Sequence, residues 1–264
     1  MTTQAPSLLD WSPEAVVFDC DGTLMNTERH WQDARMRALR AFGLRPSPGF
    51  AERAKGVHYT DCGRLMAEEA HKPELTAELT QALLANFLEL VASDPVTMPG
   101  AAEFVRSLSG RLPLAVASNC PLEVVEECLS RARLRRHFRH IVVPSGMPPD
   151  TPGAEPAAGT PGVVRPKPWP DVYATAAQLC GARPHDALAV EDSLTGIESA
   201  WRAGLRVLGV GPRPSEADAQ RADLWVPALH SPLLRAWVRD RVPRPAGPAP
   251  RVGNQRGPEK RDTD

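Results

Sequence analysis

The chain has 264 residues, enough for one large domain or for a core with a smaller companion, and its 42% hydrophobic content is ordinary for a globular protein. Its 31 basic and 32 acidic residues leave a formal net charge of −1, which offers nucleic acid no attracting field and removes it as an expected partner. No apolar run approaches the roughly 20 residues that span a bilayer, and residues 1–10 lack the basic-then-apolar pattern of a secretory signal, so no membrane partner is expected either.

Five cysteines (Cys20, Cys62, Cys120, Cys128 and Cys180) are odd in number and scattered, with no CxxC pair. Neither a disulfide framework nor a zinc site follows, and a reducing, cytoplasmic location fits best. Twenty-eight prolines are the compositional anomaly, and they concentrate in two places.

Residues 15–19 read as a short buried strand. From Thr27 to Phe42 the spacing of Trp31, Met36, Leu39 and Phe42 predicts a helix closed by Gly43, and further helical patterns cover 61–71 and 74–92. Nothing strand-like falls between 27 and 97, so an all-helical block is inserted after the first strand. Alternation then begins: a helix from Pro99-Gly100 to Leu108, a strand over 114–118, a helix over 121–134 and a strand over 140–143. Residues 144–170 hold nine prolines and few bulky apolar residues, which predicts an exposed, mobile loop. A helix over 171–180, a strand over 187–191, a helix over 194–203, a strand over 206–210 and an edge strand over 224–226 complete the pattern. The expected fold is α/β, a Rossmann-like parallel sheet with helices on both faces plus an inserted all-helical cap. Its segments are a core of residues 12–26 and 97–240, a cap of 27–96, a Pro-rich loop of 144–166 and a disordered tail of 243–264.

Ligands of an open parallel sheet sit beyond the carboxyl ends of its strands. There the sequence places Asp19 and Asp21, then Ser118-Asn119, then Lys167 after the long loop, then Glu191-Asp192. Asp19 and Asp21 lie two positions apart, the strand spacing that points side chains the same way. Carboxylates about 4 Å apart repel by about 4 kcal/mol per pair at an effective dielectric near 20. Four of them facing one ammonium demand a hard divalent cation, and all-oxygen ligation favours Mg²⁺. A site so neutralised suits phosphate, held also by Lys167, Ser118 and the amides of the helix starting near Pro121.

These residues carry a resemblance. Asp19-Cys20-Asp21-Gly22-Thr23, Ser118, Lys167-Pro168-Trp169-Pro170-Asp171 and Glu191-Asp192-Ser193 with Gly196 are similar, in order and spacing, to the four motifs of the haloacid dehalogenase (HAD) superfamily. The helical insert resembles the subfamily I cap of phosphoglucomutase-like and sugar-phosphate phosphatase members. The resemblance implies a Mg²⁺-dependent phosphatase acting on a small phosphorylated metabolite. Asp19 would be the nucleophile that forms an aspartyl-phosphate, and Asp21 the acid and base that serves leaving group and water. Asp19, the Asp21 carbonyl, Asp192 and Glu191 would hold the metal. Lys167 and Ser118 would stabilise charge on the transferring oxygens, and Gly22, Thr23, Asn119 and Lys55 would contact substrate.

Alone, each group has a plainer reading: Asp21-Gly22 is a common turn pair, Ser118-Asn119 a helix N-cap, Lys167 a solvated loop lysine. Alternation points Cys20 into the core rather than the site, and Trp169 belongs to a floppy insertion more than to a lid. Cap residues Glu28, His30, Trp31, Arg53, Lys55 and His58 are the candidate specificity contacts. Lys55-Gly56-Val57 resembles the cap substrate loop of beta-phosphoglucomutases. Tyr59 and Trp31, however, stand where those enzymes carry arginine and histidine. A sugar phosphomutase is therefore the second reading, and a catalytically silent HAD-fold binding protein the third. Dehalogenase and phosphonatase are disfavoured because those relatives lack the second aspartate, present here as Asp21. No protein partner is inferable.

Overall fold

Six apolar runs form one parallel sheet: β1 (Ala15–Phe18), β2 (Leu114–Ala117), β3 (His140–Val142), β4 (Ala187–Glu191), β5 (Arg206–Val210) and β6 (Leu224–Val226), in the spatial order β3-β2-β1-β4-β5-β6. The computed structural model describes residues 7–54, 57–93, 96–145 and 162–243. β1, β2 and β4 are buried at every position, as strands covered on both faces must be. Val16, Phe18, Leu114, Val116, Leu188 and Val190 face one core. There they meet α5 (Ala101–Leu108), α6 (Leu122–Arg131) and α10 (Pro232–Arg241), with Phe18 edge-on to Phe104 and Phe138 at ring separations of 6.0 and 5.9 Å. The alternate residues, Ala15, Val17, Ala115, Ala117, Ala187 and Ala189, face a second core with α7 (Asp171–Leu179) and α8 (Leu194–Arg202). Small side chains on that face let α7 and α8 lie close to the strands.

The connection from β1 to β2 carries the helical insert: α1 (Glu28–Ala41), α2 (Phe50–Ala54), α3 (Tyr59–Glu69) and α4 (Thr76–Ser93). It is entered and left through paired backbone, with Asn26 N–H donating to the Val96 carbonyl at 2.8 Å and Met98 N–H to that of Leu24 at 2.9 Å. Pro73–Ser93 spans 21 residues and contains an 18-residue stretch of mean hydropathy 1.2, long and apolar enough by composition to cross a membrane. Here Leu79, Leu83, Phe87 and Val91, four residues apart, bury one helix face against α1 and α3. Trp31 stacks on Phe87 with ring centres 3.6 Å apart.

The strands and the main helices lie where the sequence pattern puts them. Three helices were not expected: α2, α9 (Glu216–Ala219) and α10. The first two are too short to show periodicity. The third follows a readable start, Ser231-Pro232, with Ser231 capping the Leu233 N–H, but lies beside the Pro-rich tail. The tail after Pro243, Lys55 and most of the expected loop over 144–166 lie outside the described residues. The described ends of that loop, Ser145 and Val164, exchange two backbone hydrogen bonds of 2.9 Å.

Candidate active site

The sheet order places the site. β2 and β3 extend the sheet to one side of β1, whereas β4 to β6 lie on the other, so the crevice opens beyond the ends of β1 and its neighbours. Phe18 pairs with Val190 and with Val116, which brings Asp19, Glu191-Asp192 and Ser118 to adjacent strand ends. The cleft there is lined from the sheet by Asp19, Asp21, Asn119, Cys120, Lys167, Asp192 and Ser193, and from the insert by Glu28, Trp31, Arg35, Val57, Tyr59 and Cys62.

Lys167 is the hub. Its Nζ lies 2.6 Å from Asp19 Oδ1 and 2.6 Å from Glu191 Oε1, and its backbone is gripped by the Asn119 amide in both senses. Asn119 Oδ1 accepts from Lys167 N–H at 2.8 Å and Nδ2 donates to the Lys167 carbonyl at 3.2 Å. Tyr173, fully buried on α7, donates its hydroxyl to Glu191 Oε1 at 3.2 Å beneath the ammonium. Burial opposes charge on Lys167, but the Asp19 and Glu191 carboxylates outweigh it and raise its pKa, so it stays cationic.

Glu191 is fully buried, and its Oε2 accepts from the Asp192 and Ser193 N–H groups at 2.9 Å each and from Ser193 Oγ at 3.0 Å. Ser193 in turn caps α8 by accepting from Gly196 N–H at 3.1 Å. Gly196 has to be glycine, because a Cβ there would land on the Glu191 carboxylate. Gly22, at φ +88°, makes the turn after Asp21, and a Cβ there would strike the Asp192 carboxylate.

Asp19 is the carboxylate with an opening. Its Oδ2 is buried without a hydrogen-bond partner among the described residues. Burial raises its pKa well above the usual carboxylate range; Lys167 pulls it down, and Glu191, Asp192 and Asp21 push it up again. Asp19, Glu191 and Asp192 can each offer an oxygen within 4.8 Å of one another. An all-oxygen set with an orphaned buried oxygen and excess negative charge fits a hard divalent cation.

Several sequence expectations meet a different geometry. Thr23, expected against substrate, is fully buried and donates its hydroxyl to Asp192 Oδ1 at 3.0 Å. Ser118 is not the cap of α6, whose N-cap is Pro121; its hydroxyl lies 3.4 Å from Asp21 Oδ2. Trp169 lies against the guanidinium groups of Arg165 and Arg202, at 4.3 and 5.9 Å from its ring, while most of the proline run before it lies outside the described residues. Of the cap candidates, Glu28 and Trp31 line the cleft. His30, Arg53 and His58 are not in that lining: Arg53 pairs with Glu69, and His58 Nδ1 meets Thr60 Oγ1 at 2.6 Å. Cys20 is buried in the core, as alternation predicts. The residues missed are Arg35, Cys62 and Cys120. Arg35 could have been found as a charge four residues after Trp31 on the apolar stripe of α1, where it pairs with Glu28 at 3.0 Å.

A family model for haloacid dehalogenase-like hydrolases matches residues 13–204. A probable pseudouridine-5'-phosphatase of Drosophila melanogaster is 30% identical over 211 residues, covering 78% of this chain and 85% of its own. A phosphorylated carbohydrates phosphatase of Thermotoga maritima is 29% identical over 206 residues, covering 75% and 85%. The crystal structure of beta-phosphoglucomutase from Clostridium difficile superposes with a TM-score of 0.68 over 86% of this chain and 98% of its own, at 17% identity, a likeness of fold.

Proposed function

The chain belongs to the haloacid dehalogenase-like hydrolases and is an enzyme of their phosphoric monoester hydrolase kind, and on that premise we propose that it is a Mg²⁺-dependent phosphatase of a small phosphorylated metabolite, working through an aspartyl-phosphate. The observation that carries this reading is Asp19: a buried carboxylate with Oδ1 on Lys167 and Oδ2 without a partner among the described residues, at the floor of a cleft that the insert roofs.

Asp19 attacks phosphorus, the bond from phosphorus to the leaving oxygen breaks, and Asp21 gives that oxygen a proton. Asp21 then takes a proton from the water that attacks the phosphorylated Asp19, which releases phosphate and restores both carboxyl groups. Lys167, pinned through Asn119 and Glu191, stabilises the transferring oxygens without reorganising. Asp19, Asp192 and the Asp21 carbonyl would hold Mg²⁺, with Glu191 directly or through water, and the ion would supply positive charge to the phosphoryl group. Both Glu191 oxygens already accept protein donors, which favours the water-mediated form. The proposed cap is residues 27–96.

The substrate-side wall holds Trp31 and Tyr59 in place of the histidine and arginine of the mutases, which favours hydrolysis over return of the phosphoryl group. All five cysteines are free and buried, which supports a cytoplasmic location. A panel of sugar phosphates and other phosphorylated metabolites, assayed for released phosphate with Mg²⁺, tests the reading. Isomer formation without phosphate release would overturn it in favour of a mutase.

A further inference from the structure

Asp21 sits just past β1 in the turn made by Gly22, yet its side chain is held from two sides. From the start of the insert, Thr27 Oγ1 donates to Oδ1 at 2.5 Å and Trp31 Nε1 at 3.4 Å. From the end of β2, Ser118 Oγ lies 3.4 Å from Oδ2 and Cys120 Sγ 2.9 Å from it. Cys120 belongs to none of the four motifs, but it is the nearer donor to Oδ2 and part of the cleft lining.

Its own placement is rigid. The Cys120 N–H donates to Ser118 Oγ at 3.0 Å, and the next residue, Pro121, caps α6. The residue is 6% exposed. The thiol S–H is the donor of this contact and the carboxylate oxygen the acceptor. A group that must deliver a proton to a leaving oxygen has to be held within about 0.5 Å of its productive position.

We propose that Cys120 is a positioning residue for the reaction, its S–H holding Asp21 Oδ2 so that the carboxyl faces the leaving oxygen in the cleft. The proposal rests on the phosphatase reading and on Asp21 as proton donor. The thiol neither transfers its proton nor forms a bond.

Leaving-group dependence separates this role from a structural one. An alkoxide needs the proton from Asp21, whereas p-nitrophenolate departs without it. The constant kcat/KM reports the first irreversible step, in which the leaving group departs, and is not masked by slow hydrolysis of the intermediate. Cys120→Ala should therefore lower kcat/KM for the best alkyl phosphate about tenfold more than for p-nitrophenyl phosphate. Cys120→Ser, which keeps a donor of similar size, should recover most of that ratio. Equal losses on both substrates, or a serine variant that falls with the alanine one, would overturn the proposal. A wild-type protein inert toward both phosphates would instead defeat the phosphatase reading beneath it.

Discussion

Glu191 and Asp192 are consecutive carboxylates with opposite duties. Glu191 ends β4 inside the protein, where it accepts from Lys167, Tyr173, two backbone amides and Ser193. Asp192 is half-buried at the cleft and accepts from Thr23. Removing one partner of a buried ion pair leaves the other uncompensated, which costs about 3–5 kcal/mol. Glu191→Ala should lose stability of that order in urea unfolding. Asp192→Asn should keep its unfolding free energy within about 1 kcal/mol of wild type and raise the Mg²⁺ concentration needed for half-maximal turnover. If both variants unfold alike and respond alike to Mg²⁺, the division of labour is wrong. At this scale the sequence was legible where strand ends and motif order bring residues together, as for Asp19, Ser118, Lys167 and Asp192. It was illegible for Cys120 and Thr23, whose partners, Asp21 past β1 and Asp192 past β4, are set by side-chain direction after folding.

The element that carries Lys167 has its own fastening. Arg165 donates its backbone N–H at 3.0 Å and its Nε at 2.8 Å to Asp171 Oδ2, and a further nitrogen to Oδ1 at 2.8 Å, closing the turn that leads into α7. The hydrogen bonds from the Arg165 side chain hold the Asp171 carboxyl below the usual carboxylate range. A carboxyl with a depressed folded-state pKa contributes stability that is complete above its unfolded value near about 4 and is lost as pH falls through the lower folded value. Asp171→Asn should thus unfold at lower urea than wild type at neutral pH, and the gap should close below about pH 4. A gap that stays constant with pH would contradict the assignment. The N-cap of α8 gives a smaller test: Ser193→Ala removes a cap and one donor to Glu191, an expected cost of about 1–2 kcal/mol in urea unfolding. Most helices and all six strands could be read from periodicity and apolar runs, because each buries one face or both. α10 could not, although Leu234, Trp237 and Val238 on it are buried, because the apolar stripe is short and runs into proline. The packing of α1 against α4 was equally hidden, since local pattern names an apolar face but not its partner.

Across the whole molecule, one topological choice organises the chemistry. With β1 central and β2 and β4 on either side, four separated stretches of chain meet at one cleft. The insert follows β1 directly, so its first helix supplies Trp31 and Arg35 to the roof while the sheet supplies the floor. The floor proposed to react and the roof proposed to select substrate are therefore separate in sequence, which is why reaction type was readable and the alcohol was not. The most direct test of the account is phosphate release from an alkyl phosphate by the full chain, with Mg²⁺, with excess chelator, and with Asp19→Asn. The account predicts turnover in the first case only, with the asparagine variant lowered at least about a thousandfold. Turnover that persists in chelator, or that survives Asp19→Asn, would contradict it.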